Sequence, residues 1–258
     1  MISILTTVVI IITIYVTAGF LFSVLIKRND IADIMWGPGI ALVAWSAIGF
    51  DFMAASLLSQ VVTVLISVWA LRLGVRIFLK NRKKGEDLRY QRWRESWGAW
   101  FYPRSFLQVF VLQGFLMILV GYTAIHVATF TAVLSLEPWL YIGAAVWLIG
   151  FWFELVGDWQ LDRFLANPDN KERLMKYGLW RYSRHPNYFG EVAMWWGIWI
   201  IVSPAYLSVL ALVSPLTITT LILFVSGIPL LEASLKKHPE FVEYARTTNA
   251  FIPWPPRS

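Results

Sequence analysis

Long uncharged runs separated by short charged turns set the pattern of this chain. Met1–Ile26 carries no charged residue, and about 20 apolar residues suffice to cross a hydrocarbon core of about 30 Å. It lacks the basic leader and small-residue cleavage site of a signal peptide, so it reads as a first span. Ile31–Phe50 follows, with Asp33 near its start, and Phe52–Leu71 ends at Arg72 and Arg76. Ser105–Leu136 is longer than a perpendicular crossing needs, which predicts a tilted or partly interfacial course. Trp139–Phe153 runs on into a charged turn. Tyr188–Val202, which encloses Glu191, and Ala205–Leu231 complete seven predicted transmembrane helices. Glu137-Pro138 and Ser203-Pro204 mark tight turns between them.

The basic residues sort by side. Two lie at 27–28, two at 72 and 76, eight between Lys80 and Arg104, six between Arg163 and Arg184, and four from Lys236 onward. These are all 22 Lys and Arg residues, and all fall at the ends of the first, third, fifth and seventh spans. The opposite turns offer only Asp51, Glu137 and uncharged residues. Basic residues accumulate on the cytoplasmic side, so the N-terminus is expected outside and the C-terminus in the cytoplasm. The expected fold is all-α, a polytopic bundle forming a single membrane domain over residues 1–258, without an internal repeat.

Composition agrees with the bilayer as solvent. Apolar residues make up 58% of the 258 residues, charged residues 15%, and mean hydropathy is +0.60. A soluble domain sits near 45–50% apolar. The net charge of +6 follows from topology and does not call for nucleic acid. Absence of cysteine excludes disulfides, thiolate catalysis and zinc–cysteine sites. The three histidines are too scattered for a metal centre, and His126 reads as a satisfied core residue. Trp36, Trp93, Trp97, Trp100, Trp180 and Trp254 lie near predicted span boundaries, where indole rings anchor at the headgroup level.

Chemistry concentrates between Glu154 and Glu191. Glu154, Asp158 and Asp162 recur every four residues and share one helix face, with Gln160 pointing elsewhere. Such a stripe either pairs with nearby arginines at a solvated helix end or accepts hydrogen bonds from ribose hydroxyls or a carboxamide. Pro186 suits the first turn of a helix, and the free N–H groups there favour an anion. Arg181, Arg184 and His185 surround the same point, and guanidinium groups meet phosphate oxygens in a bidentate way. The arrangement predicts a pyrophosphate or carboxylate cradle, against the alternative of a basic loop touching anionic lipid heads. Asn187 and Glu191 stand one turn apart on one face. A carboxylate inside a span costs several kcal/mol, so Glu191 is either functional or paired with Arg72 or Arg76. Glu232 ends the seventh span, and an amphipathic tail carrying Tyr244 follows. The loop KNRKKGEDLRYQRWRE at 80–95 either pairs internally or covers a nucleotide.

These motifs resemble a known family. The run GLWRYSRHPNYFGE at 178–191, the E-x-x-x-D-x-Q at 154–160 and the Y-x-x-x-T-x-x-F-I-P at 244–253 resemble the steroid 5α-reductase-like superfamily. Asp33-Ile-Met-Trp36-Gly37 and the E-D-x-R-Y at 86–90 are similar to its large bacterial branch. The resemblance implies seven helices in the bacterial inner membrane holding NADPH from the cytoplasmic side, with residues 139–258 as the cofactor-binding half. It implies reduction of a carbon–carbon double bond conjugated to a carbonyl in a lipid-like substrate. Asp158, Arg173, Asn187 and Glu191 match its cofactor contacts. Glu154 stands where characterised reductases carry a neutral amide, Leu165 where they place an arginine, and Trp69 about where they place a carbonyl-polarising tyrosine. The expected cofactor-binding set is Glu154, Asp158, Arg173, Arg181, Arg184, His185, Asn187, Glu232 and Tyr244. The expected acids or hydrogen-bond donors are Glu191, Tyr188 and Asp33, with Tyr182 a further candidate.

Two other readings compete. The R-H-P-x-Y segment, the later Glu and the aromatic-Pro tail also resemble membrane isoprenylcysteine and phospholipid methyltransferases, in which the same cradle would grip S-adenosylmethionine. A non-enzymatic transporter or lipid-binding protein is the third, with Glu191 on a proton path.

Overall fold

The computed structural model describes residues 2–82, 84–129, 138–170, 173–205 and 208–257. Lys83, Glu137, Lys171 and the end of the fourth predicted span fall outside them. Helices make up most of the described residues, with no strand among them. Five helical stretches are long and apolar enough to cross a membrane: Ser3–Ile26, Leu57–Asn81, Leu88–Val120, Trp139–Ala166 and Val209–Leu235. The chain is therefore an all-helical, multi-pass membrane protein. Two further apolar helices, Ile31–Ala47 and Pro186–Val202, have 17 residues each. Helices of that length rise about 26 Å, at the lower end of what a crossing needs.

The chain divides into two compact units. The first comprises residues 1–134 and 205–214. It holds α1 (Ile2–Ile26), α2 (Ile31–Ala47), α3 (Leu57–Asn81), α4 (Leu88–Trp97), α5 (Phe101–Ser105), α6 (Leu112–Val120) and α7 (Tyr122–Val127), with a π-helical stretch at Phe106–Val111 joining α5 to α6. The third helix starts later and ends later than predicted. Ser56 caps α3 by accepting from the Ser59 N–H at 3.2 Å, which leaves residues 52–55 as turns. The helix then continues through Arg72, Arg76 and Lys80 to Asn81, because nothing in that charged stretch breaks it. Pro38 lies within α2, and its ring packs on Gly74 of α3, where an added Cβ would meet the ring at 3.3 Å. Ser214 holds this unit together by accepting from the Thr123 N–H at 2.8 Å, while the Thr123 hydroxyl donates to Ala211 O at 3.0 Å.

The second unit comprises residues 135–204 and 215–258. It contains α8 (Trp139–Ala166), α9 (Pro186–Val202), most of α10 (Val213–Thr220), α11 (Ile228–Leu235) and α12 (Phe241–Thr247). α8 and α9 run antiparallel along a line of glycines spaced seven residues apart. Gly143 faces Gly197 and Gly150 faces Gly190. A Cβ on Gly143 would lie 2.5 Å from Gly197 O, and one on Gly150 2.6 Å from Gly190 O. The two backbones touch, as close-packed membrane helices do where residues are small. α8 extends well past the predicted end at Phe153, carrying the acidic stripe with it.

Candidate functional site

The α8–α9 contact brings the motif residues together. Glu154 and Asp158 of α8 are 3% and 4% exposed, and Glu191 of α9 is 9% exposed. Asn187, in the first turn of α9, donates from Nδ2 to Asp158 Oδ1 at 3.0 Å. The approach is set by Gly157, on which a Cβ would meet the Asn187 N at 3.2 Å. The Asn187 Oδ1 is a buried acceptor without a hydrogen-bond partner. No side chain caps the start of α9, and Pro186 sits in its first turn. Tyr188 stacks on the His185 ring, with centroids 5.6 Å apart and planes at 13°.

The segment before α9 is sewn to the C-terminal tail. Arg184 donates from Nε to Glu232 Oε1 at 2.8 Å, and its Nη2 lies 2.7 Å from the same oxygen. Its Nη1 donates to Thr248 O at 2.5 Å and Ala245 O at 3.1 Å. His185 Nε2 lies 3.2 Å from Glu232 Oε1. Tyr244 donates its hydroxyl to Trp180 O at 2.5 Å, and Ser183 donates to Phe251 O at 2.7 Å. Burial pushes the Tyr244 phenol above its ordinary range. Arg184, His185, Glu232 and Tyr244 thus form a structural knot beside the Asp158–Asn187 pair. Arg173 and Arg181 are exposed and form no ion pair among the described residues.

Gly178, Gln160 and Trp180 shape the same segment. Gly178 adopts φ +61°, a conformation glycine accepts without Cβ strain, and lies against the Gln160 amide. Gln160 Oε1 accepts from the Leu179 N–H at 2.9 Å, and Trp180 donates to Gly157 O at 3.0 Å.

Asp33 belongs to the first unit. Its carboxylate accepts from Arg89 Nη2 at 2.7 Å and from the Tyr90 hydroxyl at 2.8 Å. The E-D-x-R-Y motif therefore meets the D-x-x-W-G motif. Glu86 accepts from the Asn29 N–H at 2.7 Å and from Arg94 at 3.0 Å, and Arg28 pairs with Asp30 at 2.7 Å. The 80–95 loop pairs internally, through Arg94–Glu86 and Arg89–Asp87, and also fastens to the α1–α2 turn through Asn29 and Asp33.

A family model described as "Protein of unknown function (DUF1295)" matches residues 19–248. The chain belongs to the DUF1295 family. No curated protein and no solved structure matches it. In this DUF1295 chain the match covers both motif clusters, the Asp33 network and the α8–α9 pair.

His185 gives the DUF1295 tail a pH dependence. Burial holds its imidazole below the ordinary 6.5, with Arg184 adding to the effect and Glu232 opposing it. The folded protein binds this proton less readily than the unfolded chain. The contribution is complete above pH 6.5 and is lost as pH falls below that value. Limited proteolysis of the tail should accelerate between about pH 7 and about pH 5, and His185→Gln should flatten that profile. An unchanged profile in the variant removes His185 from the effect.

Proposed function

We propose that this protein is an NADPH-dependent reductase of the steroid 5α-reductase-like type, acting on a conjugated carbon–carbon double bond in a lipid. In this reading it has seven spans in the bacterial inner membrane, with the N-terminus outside and the C-terminus in the cytoplasm. The two 17-residue helices supply the spans beyond the five long ones. The observation that carries the reading is the Asp158–Asn187 hydrogen bond, which joins two motifs 29 residues apart beside an uncapped helix start.

The residues fit the cofactor. NADPH offers donors on its ribose and carboxamide, and Asn187 Oδ1 is a buried acceptor awaiting one. Arg173 and Arg181 are the cations left for its phosphates, because Arg184 is engaged by Glu232 and the tail carbonyls. When bound, NADPH supplies hydride to the alkene carbon β to the carbonyl. The protein must then stabilise charge on the carbonyl oxygen and deliver a proton to the α carbon. Tyr188 and Glu191, on the first turns of α9, are the donors proposed for those tasks in the second unit.

Thermal unfolding of the detergent-purified protein tests the reading. A ligand at 100 times its Kd stabilises by about 2.7 kcal/mol. NADPH should raise the midpoint and S-adenosylmethionine should not. Asp158→Ala and Asn187→Ala should each abolish the NADPH shift, and each should also lower the apo midpoint, since a buried partner left unsatisfied costs about 1–3 kcal/mol. Stabilisation by S-adenosylmethionine alone would replace hydride transfer with methyl transfer, and a response to neither would remove both.

A further inference from the structure

The first unit carries a cationic aromatic corner that the reductase reading leaves unused. α4 leads into α5 through Gly98, whose φ of +50° turns the chain. Trp93 and Trp97 stack, with centroids 5.2 Å apart and planes at 10°. The Arg104 guanidinium lies over the Trp97 ring, 5.9 Å from its centroid. Trp93 and Trp100 are 37% and 67% exposed.

Cations around this corner fall into two groups. Arg28, Arg89 and Arg94 are ion-paired to Asp30, Asp33 and Glu86 respectively. Arg92 and Arg104 are exposed and form no ion pair among the described residues. They stand at the polar beginning of a stretch whose apolar part continues to Val120. Exposed Leu107, Val111 and Phe115 follow Arg104 through the π-helical stretch and into α6, an apolar track leading away from the corner. A planar guanidinium laid on an indole is oriented for bidentate contact with a phosphate. Indole rings beside it suit the headgroup level of a leaflet.

We propose that this corner binds an anionic phospholipid, its phosphate on Arg104 at the Trp93–Trp97 stack, with Arg92 of the same helix as the stack adding positive charge, and an acyl chain along Leu107, Val111 and Phe115. The apolar track selects a lipid over a free phosphate compound.

Native mass spectrometry of the full chain, released from neutral detergent, tests this with three probes: phosphatidylglycerol, phosphatidylcholine and soluble glycerol phosphate. Phosphatidylglycerol adducts should persist and the other two should not. Each interfacial arginine contributes about fivefold, so the Arg92→Gln, Arg104→Gln pair should weaken phosphatidylglycerol binding about 25-fold. A control pair, Lys236→Gln with Arg246→Gln, removes the same charge from the tail and should leave binding unchanged. Equal retention of phosphatidylcholine, tight binding of glycerol phosphate, or an equal loss in the control pair overturns the proposal. The comparison of probes on the unaltered chain decides the matter even if the arginine pair fails to fold.

Discussion

Arg184→Ala should detach the C-terminal tail from the segment that precedes α9. The guanidinium is 11% exposed and Glu232 16% exposed, and the arginine also serves the carbonyls of Ala245 and Thr248. Truncation leaves a mostly buried carboxylate and two carbonyls without their donor. Breaking a buried pair in this way costs about 3–5 kcal/mol. The tail beyond α11 should become protease-sensitive, and the thermal midpoint should fall. Arg184→Lys should rescue little, because an ammonium lacks the fork that reaches the Glu232 carboxylate and two carbonyls at once. The cradle read from the sequence makes the opposite prediction: cofactor affinity falls while fold persists. A variant with a native midpoint, an intact tail and weakened NADPH binding would return Arg184 to the phosphates.

The difference between these readings shows what the sequence carried and what it did not. Uncharged runs were legible as membrane-spanning helices, because bilayer cost acts on each residue independently of its partners. Span ends were less so. Charged residues at 72 and 76 marked where α3 was expected to stop, yet a helix end needs a cap or a breaker rather than charge, and none occurs before Asn81. Motif residues were identifiable as chemistry, but their division of labour was not. Arg184 and Glu232 are 48 residues apart, and only tertiary contact reveals that one consumes the other. The same holds for Asp33, whose partners Arg89 and Tyr90 lie more than 50 residues away. The glycine spacing at 143, 150 and 157 and at 190 and 197 was visible in the sequence and carries the α8–α9 approach. It passed unnoticed because a small residue in an apolar run leaves no hydropathy signal.

That glycine line supports the second large effect. Gly190→Ala should push α8 and α9 apart and abolish NADPH stabilisation. A Cβ there would collide with Gly150 O and would lie 2.5 Å from the Glu154 N and 3.0 Å from the Glu154 Cβ. The first two obstacles are backbone atoms, so no rotamer change relieves the clash and the helices themselves must move. Overpacking of this kind costs about 1–3 kcal/mol, and two backbone obstacles argue for the upper end. The displacement acts on the turn that carries Asn187, three residues before Gly190. A hydrogen bond of 3.0 Å to Asp158 has little tolerance for it, since the interaction weakens steeply past its normal range. Gly85→Ala provides the contrast, because nothing lies within 4 Å of a Cβ built there. The thermal midpoint and the NADPH shift should therefore both fall in Gly190→Ala and both persist in Gly85→Ala. If Gly190→Ala retained the full cofactor shift, close approach of the two helices would have no part in holding the nucleotide, and the Asp158–Asn187 hydrogen bond would no longer carry the cofactor reading.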